Sequence, residues 1–266
     1  MIRTVTVYTG ESRFARAAQQ HAIEIAKQFK ARLKVVDLWS AEEGGPVVQA
    51  SVPAEALGKG NQNDIVNTAE QAGLHVDTAG RGRGMTRGLL EEAKETDLLV
   101  LGLPTETERD ENDTASRLFK NERPVMNRAE CALLIVNEPP SPLEKILVKH
   151  EAGIAGKAML RMAGAVAERY SARVGILTME NDIARSTELA AAAQEYLKGF
   201  DIPAIETLPK SGPPDSKVEI LRAAESFGAD LIAMGEEGHN WLERWFGADL
   251  AERTALTTST PFLIVR

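Results

Sequence analysis

The chain has 266 residues, of which 43% are hydrophobic, enough to core one large domain or two modest ones. Its formal charge of −8 and pI near 5.2 exclude a groove that neutralises nucleic-acid phosphates, because such a groove needs a basic face. The start MIRTVTVYTG has no apolar stretch of the signal-peptide kind, and no apolar run approaches membrane-spanning length. The single cysteine, Cys131, excludes an internal disulfide and paired-cysteine zinc motifs. Together these features lead us to expect a reduced, cytoplasmic setting.

In chain order, the β-rich runs of the first half fall near 3–8, 33–38, 74–78, 97–102 and 132–136. An Ala-rich amphipathic stretch at 15–29 separates the first two, and the segment 40–63, rich in Gly, Pro and small residues, reads as a loop. The proline run PPSP at 139–142 can continue neither a strand nor a helix and marks a boundary. Beyond it, strands are expected at 145–149, 173–179, 204–208, 230–235 and 261–265, with helices at 154–170, 183–199, 216–227 and 247–257. Several strands are continuously apolar, as in a parallel sheet covered on both faces, and their alternation with helices predicts a doubly wound α/β fold.

The two halves repeat one another. AKQFKARL (26–33) matches AERYSARV (167–174), ETDLLVLG (95–102) matches GADLIAMG (228–235), and LLIV (133–136) matches FLIV (262–265), all in the same order. The chain therefore reads as two tandem five-stranded parallel-sheet domains, 1–138 and 143–266.

DLIAMGEEGH, the later ADLAER and the final TPFLIV resemble the universal stress protein family, and the resemblance covers both halves. It implies a five-stranded sheet of the kind shared with adenine nucleotide α hydrolases, with nucleotide held above the strand ends, as ligands are in open α/β sheets. ATP-binding members carry Gly-x2-Gly-x9-Gly-Ser/Thr after the fourth strand. Here Gly235 and Gly238 supply the first pair, followed by His239, with Met234 just before. Independently of the family, glycines leaving a strand let backbone N–H groups approach phosphate oxygens closely.

The match then departs. Gly247 follows Gly238 one residue early, so either Gly247 and Ala248 fill the later positions, or Ala248 and Asp249 do; both registers stay open. In the second, a carboxylate faces the phosphates. Glu151 stands where the family's first strand ends in an acidic residue that meets the ribose, whereas the first half has Tyr8-Thr9-Gly10 there. The first half also has Gly102 with no further glycine before residue 137, and an acidic run at 105–114. The resemblance thus implies at most one nucleotide site, for ATP with Mg²⁺ or another adenine nucleotide, in the C-terminal half. Its candidate residues are Met234, Gly235, Gly238, His239, Gly247, Ala248 and Glu151.

Other residues are less specific. Arg81, Arg83 and Arg87 form either an anion site or a solvated turn paired to carboxylates, the latter being the commoner outcome. Phe246 fits a buried helix face with Leu242 and Leu250, while Trp241 and Trp245 stay open between packing and stacking on a ligand. The histidines 21, 75, 150 and 239 show no metal-ligand spacing, and Cys131 reads as a buried structural residue. No nucleophile elbow or Walker motif is present, so an enzymatic role, such as weak ATP hydrolysis, rests on nothing specific. The family's last strands often pair edge to edge, which implies an intrachain pseudo-dimer here. A further homodimer and an unidentified protein partner fit the same reading, as does a rival one: an interaction module that binds no nucleotide.

Overall fold

The structure, a computed structural model, describes residues 2–10, 12–36, 59–79, 85–103, 124–213, 216–235 and 258–266. The N-terminal unit contains β1 (Thr4–Tyr8), α1 (Arg13–Phe29), β2 (Arg32–Val36), α2 (Lys59–Gln71), β3 (Val76–Ala79), α3 (Met85–Ala93), β4 (Leu98–Gly102) and β5 (Ala132–Val136). The C-terminal unit contains β6 (Lys145–Lys149), α4 (Ile154–Tyr170), β7 (Arg173–Glu180), α5 (Ile183–Leu197), β8 (Ile205–Ser211), α6 (Lys217–Phe227), β9 (Leu231–Gly235) and β10 (Phe262–Val265). A helical turn at 124–128 opens with Pro124, a residue suited to a first helical position. The expected loop 40–63 is corrected at its end, since α2 already begins at Lys59. Gly60 lowers the helix propensity there, but in a first turn it breaks no intrahelical N–H bond. The expected helix 247–257 lies outside the described residues.

Among the described residues, ten strands form one sheet in the order β3-β2-β1-β4-β5-β10-β9-β6-β7-β8. Every neighbouring pair is parallel except β5 and β10, which run antiparallel with Phe262 opposite Ile135 and Ile264 opposite Leu133. The last strands of the two units therefore close each other's edges, which removes two open edges from solvent. The remaining edges are β3 and β8. β8 carries Glu206, Pro209 and Lys210, and proline and charge belong on an edge strand because they discourage further pairing.

The central strands β4, β5 and β9 are buried at every position because helices cover both faces. α1, α2, α4 and α5 share one core with the side chains of Val5, Val100, Val148 and Ala233. α3 and α6 share the other with Leu99, Leu133, Leu147 and Ile232. Each core runs through both units without a break. A fully buried Leu or Ile contributes about 1.5–3 kcal/mol, and buried side chains such as Leu133 and Ile264 carry this apolar packing across the seam between the units.

The duplication is visible in the bonds as well as in the sequence. The Asp97 carboxylate accepts from the N–H groups of Arg3 (2.8 Å) and Thr4 (3.0 Å), and Asp230 accepts from those of Glu144 and Lys145 (both 2.9 Å). α1 and α4 both end on a non-glycine residue in the left-handed region, Lys30 at φ 51° and Ser171 at φ 53°. The seam repeats too. Asn137 Nδ2 donates across it to the Thr258 carbonyl at 3.3 Å. At the corresponding place, the Arg266 guanidinium donates to the carbonyls of Asn127 (3.1 Å), Ala129 (2.5 Å) and Met126.

Candidate functional site

Because β6, β7 and β9 are parallel, their carboxyl ends meet at one edge. Lys149 lies opposite Leu177 on one side and Met234 on the other, which brings Glu151 and Gly235 to the same rim. The start of α4 closes that rim. Its N-cap is Gly153, at φ 126° and with no side-chain cap, whereas α1 begins at Ser12, whose hydroxyl accepts from Ala15 N at 3.1 Å.

Gly235 is glycine for a packing reason. A Cβ there would stand 2.6 Å from the Ala155 carbonyl oxygen, in the first turn of α4. In the N-terminal unit Gly102 is pressed in the same way against the Phe14 carbonyl. The twin does this in a unit that has lost every later glycine of the motif. The identity of Gly235 therefore reports helix–strand approach and carries no information about phosphate. Met234 is 1% exposed and buries its side chain among the α6-side core, leaving only its backbone for a ligand.

Glu151 is the acidic group of the rim. Its side chain is 39% exposed, and it forms an ion pair with Lys149, whose side chain is 3% exposed. A buried ammonium keeps its charge only beside such a partner. Between them, His150 is 5% exposed, and among the described residues its Nδ1 has no hydrogen-bond partner. Burial, with the Lys149 charge adding to it against a backbone bond at Gly156, pushes this imidazole down to about 4, so it is neutral at physiological pH. From His150 an open groove of about 840 Å³ runs between α4 and α5, with Lys157 and Arg161 on one wall and Leu189 and Tyr196 on the other.

The N-terminal rim is built differently. Gly10 stands in place of Glu151, and a Cβ there would lie 2.7 Å from the Ala15 Cβ. Gln19, 6% exposed, reaches over this rim and donates to the carbonyls of Tyr8 (3.3 Å) and Gly10 (3.1 Å). Leu160 occupies its place in the second unit. At the end of β1, Gln19 thus satisfies two backbone carbonyls, and no carboxylate stands there among the described residues.

Of the residues expected from sequence, Glu151, Met234 and Gly235 come together at this rim. Gly238, His239, Gly247 and Ala248 lie outside the described residues, as do Trp241, Trp245, Phe246, Asp249 and the acidic run 105–114. Arg81 and Arg83 lie outside as well; Arg87 is in α3 and pairs with Glu91 at 3.2 Å, the carboxylate-paired role. Cys131 is buried, its thiol pushed up to about 12 chiefly by desolvation. Among the described residues, no group of three or more His, Cys, Asp or Glu is placed to hold a metal, and no helix is long and apolar enough to cross a membrane. Sequence reasoning missed Lys149 and Gln19. The signal was present in each: a lysine inside the apolar run KILVK, and a glutamine where the other unit has leucine.

The universal stress protein family profile matches the chain twice, over residues 1–137 and 142–266. A universal stress protein from Archaeoglobus fulgidus DSM 4304 is 12% identical, with 99% of this chain and 96% of that chain covered and a TM-score of 0.68. A candidate universal stress protein from Pseudomonas aeruginosa UCBPP-PA14 is 16% identical, with 99% and 93% covered and a TM-score of 0.61. At these identities the likeness is one of fold. A universal stress protein solved in complex with cAMP is 24% identical over 51% of this chain and 97% of that chain, with a TM-score of 0.37. No curated protein matches the chain.

Proposed function

We propose that this chain, which belongs to the universal stress protein family, binds an adenine nucleotide through its C-terminal unit alone and acts as a cytoplasmic stress-response regulator. The observation that carries this reading is the asymmetry of the two rims. Among the described residues, only the C-terminal unit presents a carboxylate at the end of its first strand: Glu151, part exposed and anchored by Lys149. The N-terminal unit has glycine there, under Gln19. In this reading Glu151 accepts a hydrogen bond from a ribose hydroxyl through the oxygen that Lys149 leaves available. The backbone at Met234 and Gly235 borders the base and sugar. Gly238, His239, Gly247 and Ala248 are assigned to the phosphates and their Mg²⁺ on their place in the sequence. The nucleotide would act by favouring one of two surfaces shown to a protein partner, to the extent that it binds the two states unequally.

The test is equilibrium binding of ATP and AMP to the wild type, Glu151→Ala and Gly238→Asp. Loss of one hydrogen bond to a charged acceptor weakens binding by about ten- to hundredfold, so Glu151→Ala should weaken both ligands alike. Gly238→Asp should weaken ATP far more than AMP. A Gly238→Asp protein that holds ATP as tightly as the wild type would sink the phosphate assignment.

A second reading, an interaction module without nucleotide, is favoured by two observations. The identity of Gly235 is already explained by the approach of α4, and the Glu151 carboxylate is already engaged by Lys149. Wild-type protein that binds neither nucleotide would make this the better account.

A further inference from the structure

A second cavity lies away from the rim, where the two units meet. Its walls come from the C-terminal parts of α1 and α4, the lower ends of β1, β4 and β9, the seam strands β5 and β10, and the 139–143 linker. Its volume is about 220 Å³. An apolar cavity of roughly 150 Å³ holds a benzene molecule, so this chamber has room for a ring and a short side arm.

The lining is mostly apolar. Among its polar residues, α1 contributes His21 and Glu24, one turn apart, and α4 contributes Tyr170. His21 Nε2 lies 3.1 Å from the Glu138 carbonyl oxygen. A carbonyl only accepts, so Nε2 carries the proton and Nδ1 is left as a lone pair. Burial pushes the imidazole down to about 4, which keeps it neutral. Burial also raises the Glu24 carboxyl above its ordinary range, and the Glu24 charge adds to burial in raising the Tyr170 phenol. Glu138 and Asp230 also border the chamber, and among the described residues no lysine or arginine lines it. Phe29, another lining residue, carries the Arg169 guanidinium over its ring, 5.7 Å from the centroid, from outside the lining.

We propose that this chamber is a binding site for a small organic ammonium ion, an aromatic or compact apolar body carrying a short protonated amine arm. The apolar walls take the body, and the ammonium meets Glu24, the Tyr170 oxygen and the aromatic faces. An ammonium has donors and no acceptor, which suits a wall of acceptors; an anion of the same shape meets acidic lining residues and, among the described residues, no lining lysine or arginine. Because α1, α4 and the linker all contribute, the ligand binds the assembled seam and stabilises it by mass action. The nucleotide reading is independent, since no residue of the Glu151 rim lines the chamber.

The probe is phenethylamine, compared with 2-phenylethanol and phenylacetate, which keep the body and change the arm from cation to neutral to anion. Calorimetry on the full chain at pH 7.5 should show phenethylamine saturating at one per chain, at least tenfold tighter than 2-phenylethanol, with phenylacetate weaker still. Glu24→Gln should weaken the amine by at least tenfold and leave the alcohol unchanged. Leu143→Trp, which fills the chamber from the linker, should abolish both, and Glu151→Ala should change neither. If the amine fails to saturate, binds no better than phenylacetate, or is indifferent to Glu24→Gln, the proposal is overturned.

Discussion

Replacing Arg266 by Ala removes a guanidinium that donates to three backbone carbonyls of the other unit: Asn127 at 3.1 Å, Ala129 at 2.5 Å and Met126. Those carbonyls close the 124–128 helical turn, where the backbone dipole is negative and favours a cation. A hydrogen bond with a charged partner contributes about 1.5–3 kcal/mol, but bonds from one rigid group are not additive. Taken together the loss should be about 2–4 kcal/mol, since part-buried carbonyls lose their donor and water recovers only some of them. For a chain of this size that corresponds to a Tm lowered by roughly 4–7 °C. Arg266→Lys should retain under half of the effect, because an ammonium is a point charge that cannot span the carbonyls as a planar fork does. Asn137→Ala, which removes a single neutral bond of 3.3 Å at the equivalent place, should cost about 1 kcal/mol or less. The assay is urea unfolding followed by far-UV circular dichroism, with the slope of the transition unchanged between variants. An Arg266→Ala loss below about 0.5 kcal/mol, the range of ordinary surface changes, would refute the idea that this residue latches the two units.

The buried histidines set the acid side of the stability profile. His21 and His150 fall from an ordinary 6.5 to about 4 in the fold, so between those values the unfolded chain holds more protons. Stability is therefore level above pH 6.5 with respect to these groups and falls as pH drops from 6.5 towards 4. The ceiling is about 1.4 kcal/mol per pH unit for each. The Glu24 carboxyl, shifted upward, opposes this just above 4.5, so the histidine part is read as the difference between wild type and His150→Gln. Identical slopes for the two proteins between pH 6.5 and 4.5 would contradict it. Cys131, buried and with its thiol pushed up to about 12, should resist a thiol-specific aromatic disulfide at pH 8 in the native state. It should react fully in denaturant; rapid native labelling would show that the α3-side core opens.

The fold was largely legible because its signals are local and repeated. The apolar runs LLVLG, ALLIV and LIAMG could only be buried strands, and their recurrence set the two units. The pairing of β5 with β10 follows from what the family implies and from the need to cover two apolar edges. What escaped was non-local. Glu151 is visible as a residue type, but its ion pair with Lys149 depends on the bend after β6 that brings both to one rim. Gly235 looked like part of a phosphate loop because sequence cannot show that α4 crosses 2.6 Å above its Cβ position. The seam chamber is assembled from α1, α4, the linker and strand ends of both units, and no stretch of sequence announces it. Arg266 likewise shows its role only once the second unit's last strand is laid beside the first unit's helical turn.

The most direct test of the account is a calorimetric titration of ATP with Mg²⁺ into the full chain, repeated with Glu151→Ala. One saturating event per chain, weakened at least tenfold in the variant, is the predicted result. Two events per chain would contradict the claim that Gly10 and Gln19 close the N-terminal rim, and no event, with no thermal stabilisation by either nucleotide, would remove the nucleotide from the account altogether.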